Sequence, residues 1–339
     1  MVGKTPVRSG SLEIAESTGL GLRSALAGAL IGSLLSVMLS PLTGCNGEGQ
    51  KQAAIGSAAR GTLTVAVVNY PLQYFAERIG GDQVRVYFPA PADEDPAFWI
   101  PTADEVAAYQ AADLILLNGA TYAKWVPKAS LPSSKLVNTS AGFSDWYLQM
   151  DDAVTHSHGP GGEHAHTGTA FTTWLDFTQA MAQAQAVRDA FVRQRPDHAE
   201  VFRANFVALE TDLSALDRQL NEFTNLSDSA AAQDGPPLVA SHPVYQYLAR
   251  RYGLDLQAVM WEPDTVPDLS QWNALDQLLA SHPARWMIWE GEPLSASTAQ
   301  LAERDIGSLV FDPCGNRPAS GDFLSVMRQN IVNLRVAFD

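Results

Sequence analysis

The chain has 339 residues, 46% of them hydrophobic, which is enough for two α/β lobes with proper cores. Its 22 Lys and Arg stand against 37 Asp and Glu, and the formal net charge of −15 excludes a nucleic-acid phosphate backbone as partner. The acidic balance suits an exported protein and draws cations weakly, without specifying a metal site.

The first residues are expected to form an export signal. Arg8 and Arg23 precede an apolar run over residues 25–39 that is too short and too rich in small residues for a permanent membrane span. The run ends in Leu42-Thr43-Gly44-Cys45, which resembles a lipobox, so residues 1–45 are taken as a lipoprotein signal with Cys45 as the lipidated residue. The other cysteine, Cys314, then has no partner, and no internal disulfide is expected. Residues 46–60, rich in Gly, Ala, Gln and Ser, make a flexible tether.

Strands and helices alternate from there. Residues 62–68 predict a strand, 72–79 a helix closed by Gly80-Gly81, 84–88 a strand, 103–111 a helix, 114–118 a strand, and 136–137 a short strand. Residues 61–175, including a histidine-rich stretch, are expected to form an amino-terminal lobe. Residues 176–194 predict an amphipathic helix broken by Pro196. The next helix carries Phe202, Phe206, Leu209, Leu213, Leu216, Leu220 and Phe223 in steps of four and three. That stripe is either a coiled-coil dimer seam or a packed spine; the flanking α/β patterns favour a spine over residues 176–226. In the carboxy-terminal lobe, 227–339, strands are predicted at 238–240, 256–260, 286–289 and 309–311, and helices at 244–252, 269–280, 295–304 and 323–334. The fold class is α/β: two lobes, each a mostly parallel sheet flanked by helices, joined by a long rigid linker helix. Ligands in such sheets sit beyond the carboxyl ends of the strands, here between the lobes.

Several stretches occur together in a specific order. They are Tyr70-Pro71-Leu72 with Phe75-Ala76 and Gly80-Gly81-Asp82, Pro101-Thr102, Ala111-Ala112-Asp113-Leu114-Ile115, Asn118-Gly119, Trp174-Leu175-Asp176, Ser241-His242, Tyr247-Leu248-Ala249, Tyr252-Gly253-Leu254 and Asp312-Pro313. In this the chain, from residue 62 to its end, resembles the substrate-binding lipoproteins of zinc and manganese ABC importers. The resemblance implies a metal ion held between the lobes, little movement between them, and His242 and Asp312 as ligands from the second lobe. The two ligands usual in the first lobe are absent. Ala97 stands where that family has a His in a Pro-His-x-Tyr-x-Pro block, and Thr173 stands where it has a His before Trp-Leu-Asp. Thr173 and Asp176 are expected instead to form a helix capping box.

Four of the seven His, His156, His158, His164 and His166, fall in a short stretch around Gly159-Pro160-Gly161-Gly162. Neutral imidazole suits zinc, copper and nickel, and Gly and Pro favour a mobile loop over residues 151–168. Many zinc members of the resembled family carry such a loop at this place. It either bends into the cleft to replace the lost ligands or collects ions outside it. Binding by these His falls through about pH 6.5, the reference imidazole value. Among other donors, Cys314 reads first as a small core residue and second as a thiolate ligand. Asp93-Glu94-Asp95 reads first as a solvated loop and second as an oxygen donor. Glu290, at the end of its strand, points to the same edge as Asp312. Phe98 and Trp99 are expected to line the cleft or enter the core, and could stack on an organic ligand.

We expect a binding protein and not an enzyme. The chain has no Gly-x-Ser-x-Gly elbow, no His-Glu-x-x-His and no phosphate-binding Gly-Lys-Ser/Thr loop; a zinc hydrolase built on His242 and Asp312 is the enzymatic alternative. The resemblance implies a monomer anchored outside the cytoplasmic membrane through lipid on Cys45. It would capture zinc, with manganese or another divalent ion as the variant cargo, and hand it to a permease and its ATPase subunit, with no organic cofactor. The alternatives are a His-loop metal buffer or chaperone without an ABC partner, and a same-fold receptor for a small organic solute or metal chelate.

Overall fold

The computed structural model describes residues 61–157, 163–224 and 235–339. The expected export signal, Cys45 and the tether lie outside these residues, as does His158.

The first strand, β1 (Leu63–Val67), is buried along nearly its whole length, as a central parallel strand must be. Asn69 then caps α1 (Tyr70–Gly80) by accepting from the Leu72 amide, with a proline in the first turn, where its missing N–H is no loss. Strand β2 (Val84–Tyr87) comes next, then α2 (Ala103–Ala111), opened by a Thr102–Glu105 capping box, then β3 (Leu114–Leu117) and β4 (Leu136–Asn138). These strands form one parallel sheet in the order β2-β1-β3-β4.

The histidine-rich stretch departs from expectation. Its backbone is a two-stranded antiparallel ribbon, β5 (Gln149–Ser157) with β6 (Glu163–Thr169), and His156 stands opposite His164 and Val154 opposite His166. The Gly/Pro cluster separates two strands; it does not dissolve the whole segment into a loop.

Helix α3 (Phe177–Gln194) starts at Asp176, whose carboxylate accepts from the Thr178 and Gln179 amides. Thr173 takes no part in that cap, contrary to the expected capping box: it lies in a preceding 3₁₀ turn, and its hydroxyl donates to Gln183 Oε1 at 3.1 Å. Helix α4 (Ala199–Thr224) has 26 residues, about 39 Å of rise. Its whole apolar stripe from Phe202 to Phe223 is buried.

The second sheet holds β7 (Leu238–Ala240), α5 (Gln246–Tyr252), β8 (Leu256–Ala258), α6 (Leu269–Ser281), β9 (Trp286–Trp289), α7 (Ser295–Ala302) and β10 (Gly307–Val310), and α8 (Phe323–Arg335) closes the chain. The strands are parallel in the order β10-β9-β7-β8.

Alternation along these strands sorts the side chains by face. Leu238, Ala240 and Ile288 join a core that also contains Leu63 and Val65 of β1, Leu209 and Leu216 of α4, and Met327 of α8. Val239, Met287 and Trp289 face the other way, into a smaller cluster with Trp261, Trp272, Leu275 and Leu301. Helix α4 packs on α1, α3 and α8 of its own chain, so its stripe serves as the expected spine and not as a dimer seam. Each fully buried Leu or Phe there stabilises by roughly 1.5–3 kcal/mol. Two carboxylates on α4 tie in both lobes: Asp212 pairs with Arg78 of α1 at 2.7 Å, and Asp217 with Arg251 of α5 at 2.8 Å.

Candidate metal centre at the second sheet

Each strand of the second sheet runs, at its carboxyl end, into a residue able to bind a cation. His242 follows β7, Glu262 follows β8, Glu290 directly follows β9, and Asp312 follows β10. Backbone bonds beyond the strands fix these segments. The Ser241 amide donates to Ile288 O at 2.8 Å, the Trp261 amide to Ser241 O at 2.7 Å, and the Phe311 amide to Trp289 O at 2.8 Å. Tyr245, buried just past His242, donates its hydroxyl to Phe311 O at 2.6 Å and locks the His242 turn to β10.

Three of the four side chains converge. One ligand atom from each of His242, Glu262 and Glu290 lies within 4.8 Å of the others. His242 Nδ1 is 3.8 Å from Glu262 Oε1 and 3.7 Å from Glu290 Oε1. These separations exceed a hydrogen bond. They suit donors that share an ion, since two ligands each about 2.1 Å from a tetrahedral zinc lie about 3.4 Å apart. His242 is 2% exposed, so its environment is set by protein and not by bulk water.

Charge explains what the cluster lacks. Burial pushes the Glu290 carboxyl well above its ordinary range, and the negative charges of Glu262, Asp95 and Asp312 push it further the same way. Among the described residues no hydrogen-bond donor reaches the Glu290 carboxylate and no Lys or Arg pairs with it. A buried carboxylate among like charges is costly unless a cation joins it.

Asp312 stands slightly apart. Its Oδ1 accepts the Cys314 amide at 2.6 Å, and its backbone is clamped by Asn330, which accepts from Asp312 N at 3.0 Å and donates to Asp312 O at 2.7 Å. Burial raises its carboxyl, and the Cys314 amide works against the rise. Cys314 is buried, with φ of 57°, and burial pushes its thiol up, as do the charges of Asp312 and Asp322. Such a thiol keeps its proton, as a structural cysteine does.

The corresponding edge of the first sheet is neutral. Asn69 after β1, Asn118 after β3, and Thr139 and Ser140 after β4 are all buried. Asn118 Oδ1 accepts from Asn69 and from Gln183, each at 3.1 Å, and its amide donates to Phe171 O at 2.9 Å. Gln183 also donates to Thr139, and Thr173 donates to Gln183. Gly119, with φ of 81°, lets the chain pass where a Cβ would lie 1.9 Å from Ser140 Oγ. Thr173 and Ala97, at the places of the usual first-lobe ligands, are both fully buried; Thr173 belongs to this network, and Ala97 donates its amide to Asp95 Oδ1 at 2.8 Å.

Of the residues singled out from sequence, His242 and Glu290 come together, and Asp312 lies close enough for its charge to act on Glu290. His156, His164 and His166 lie on the ribbon, where only backbone register is described. Phe98 packs edge-on against Phe171 at 6.3 Å, and Trp99 against Trp125 at 6.2 Å, both within the first lobe. Glu262 was missed. Its signal is positional: it is the only ionisable residue directly after the run 256–261, at the end of a strand whose neighbours also end in donors.

Comparison with known proteins bears on this edge. A family model described as "ZnuA: Zinc-uptake complex component A periplasmic" matches residues 65–337. The zinc-binding lipoprotein AdcA of Streptococcus pneumoniae is 27% identical over 293 residues, 83% of this chain and 57% of that protein. The chain thus spans a little over half the length of such relatives. The high-affinity zinc uptake system protein ZnuA of Bacillus subtilis is 25% identical over 254 residues, 73% of this chain and 76% of that protein. Among solved structures, the Zn(II)-bound ZnuA-like domain of S. pneumoniae AdcA superposes with a TM-score of 0.68 at 23% identity, covering 82% of this chain and 100% of that one. FpvC of Pseudomonas aeruginosa in complex with Mn2+ gives 0.63 at 19% identity, covering 81% and 98%. At these identities the structural likeness shows a shared fold.

Proposed function

The chain belongs to the ZnuA family of zinc-uptake complex component A proteins, and from that premise we propose that it captures a divalent transition metal ion, zinc foremost, outside the cytoplasmic membrane. It delivers the ion to an ABC permease driven by an ATPase subunit, and it makes and breaks no bond in its cargo. Lipid on Cys45 holds it at the membrane surface, in keeping with relatives named lipoproteins. Among the described residues no helix is long and apolar enough to cross a membrane.

The observation that carries this proposal is the convergence of His242, Glu262 and Glu290 at the carboxyl edge of the second sheet, with Glu290 buried among like charges. In place of the sequence-based pair His242 and Asp312, the ion is held by His242 with two glutamates, and Asp312 adds its charge from beside them. Carboxylate and imidazole donors accommodate zinc and also admit manganese. His156, His158, His164 and His166 of the histidine-rich stretch gather further ions.

Calorimetric zinc titration tests this. The intact protein binds one ion tightly, His242→Ala loses that ion, and removal of residues 156–166 lowers stoichiometry while sparing it. Tight binding that survives His242→Ala and vanishes with residues 156–166 moves the site to the ribbon and supports a metal buffer.

A further inference from the structure

Just past the neutral network of the first edge, the chain turns under strain. Ala120 and Thr121 follow Gly119 with φ of 47° and 56°, so three successive residues lie in the left-handed region, and Thr121 is β-branched. Residues with a Cβ rarely adopt that region and keep it only where their surroundings over-determine it. What the turn places is Lys124. Its Nζ donates to Thr121 Oγ1 at 3.4 Å and lies 5.3 Å from the centroid of the Phe171 ring, and its amide donates to Ala97 O at 3.0 Å. The neighbours of this ammonium lead to the ion edge. Phe171 lines a small cavity together with Pro243 and Val244, the two residues after His242. Ala97 donates its amide to Asp95 Oδ1 at 2.8 Å, and the Asp95 segment is tied to the second lobe by Asn316, whose side-chain amide donates to Glu94 O at 2.8 Å. Tyr122, two residues before Lys124, is buried where a Cβ on Gly315 would meet its hydroxyl at 3.5 Å. Lys124 itself is half-buried; burial lowers its pKa from 10.5, and the negative charge of Asp95 works against the fall. The same Asp95 charge acts on Glu290, so the ammonium and the ion edge share the field of one carboxylate.

We infer that the Lys124 ammonium is a built-in counter-charge to the captured ion, opposing a divalent cation at the second-lobe edge and setting its affinity below what the carboxylates alone would give. This rests on the assignment of His242, Glu262 and Glu290 as the ion site. The Phe171 face and the Thr121 hydroxyl hold the ammonium in place, so its charge stays at a fixed station in the first lobe. Like charges repel more strongly through a partly buried region than through water, and salt screens them less there. A receptor that hands on its cargo must also let it go. A fixed positive charge beside the site shifts that balance toward release without removing a donor.

The test is the affinity for the tightest zinc ion, read on the whole protein by competition with a chromophoric chelator in a non-coordinating salt at about 0.01 M and about 1 M. Lys124→Met is expected to bind zinc about threefold or more tightly than the unaltered protein at the lower salt, with the gap closing at the higher. Lys124→Gln, also neutral, repeats the gain, and Lys124→Arg keeps both the charge and the unaltered affinity. Damaged packing does not raise affinity, so the sign of the change separates charge from structure. Affinity unchanged or weakened in both neutral variants, while His242→Ala still loses the ion, overturns the inference and leaves the ion site standing. A gain shared by Lys124→Arg, or one indifferent to salt, overturns it in the same way. Zinc binding indifferent to His242→Ala removes the ion site and the inference together.

Discussion

The two sheets share one topology class yet end in opposite chemistry. Past the strands of the first, amides and hydroxyls satisfy one another: Asn69, Asn118, Thr139, Gln183 and Thr173 form a closed neutral network. Past the strands of the second, His242, Glu262 and Glu290 converge, and Glu290 is buried among the negative charges of Glu262, Asp95 and Asp312. A satisfied network holds a wall in place, and a buried carboxylate among like charges favours the arrival of a cation. The same edge can therefore serve as scaffold or as site, according to whether its polar groups complete one another.

That contrast can be broken by substitution. His242→Ala removes the nitrogen donor and weakens zinc binding by more than about 100-fold, beyond the 10–100-fold usual for residues that only support a ligand; a competition assay with a chromophoric chelator measures it. On the other edge, Asn118→Ala strands the partners at Asn69, Gln183 and Phe171 O. It costs about 1–3 kcal/mol of stability by urea denaturation and leaves zinc affinity within about threefold, in line with additivity between separated sites. If Asn118→Ala abolished zinc binding in a folded protein, the first edge would be part of the site.

Glu290 sharpens the contrast through pH. Its folded carboxyl is raised above the ordinary value of 4.5, and that of Asp312 above 3.8. A raised acid contributes stability that is complete below the ordinary value and is lost as pH climbs through the raised one. The ion-free protein is therefore less stable at pH 8 than at pH 5 on account of these groups, and the ion, taking the place of the proton, stabilises it more at pH 8. Glu290→Gln raises the ion-free thermal midpoint at pH 8, by about 2–4 °C for each kcal/mol in a chain of this size, while it weakens zinc binding. Scanning calorimetry of both forms at the two pH values decides it; a midpoint lowered by Glu290→Gln at pH 8 would show the carboxylate already compensated. The smallest effect is expected from removing residues 156–166, which changes the affinity for the first ion by less than about threefold while the number of ions bound falls.

Much of this was legible in the chain. The apolar runs at 63–67, 114–117 and 286–289 could only be buried strands, and the steps from Phe202 to Phe223 could only be one long helical face. His242 and Glu290 were legible because they stand at strand ends. Glu262 was not, because β8 is only three residues long and ends at Ala258, which leaves three residues between the strand and the glutamate. Thr173 resembled part of a cap by spacing alone, since nothing local announces that its hydroxyl partner is Gln183, a turn and a half into the next helix. The β5–β6 ribbon was hidden by its composition, because pairing there depends on register across a turn and not on apolar alternation.

One core runs from β1 through α4 to β7, β9 and α8 without a seam. A receptor divided by a solvent-filled hinge can announce its load by changing outline. Here such a change would have to open a continuous apolar interior, so on the proposed function the loaded and empty forms are expected to keep nearly the same silhouette. What would differ is the potential at the mouth, where the proposed ion brings two positive charges to an edge of mutually repelling carboxylates. Any partner that prefers the loaded form must therefore distinguish the two by field, within a distance of about 8 Å at physiological ionic strength.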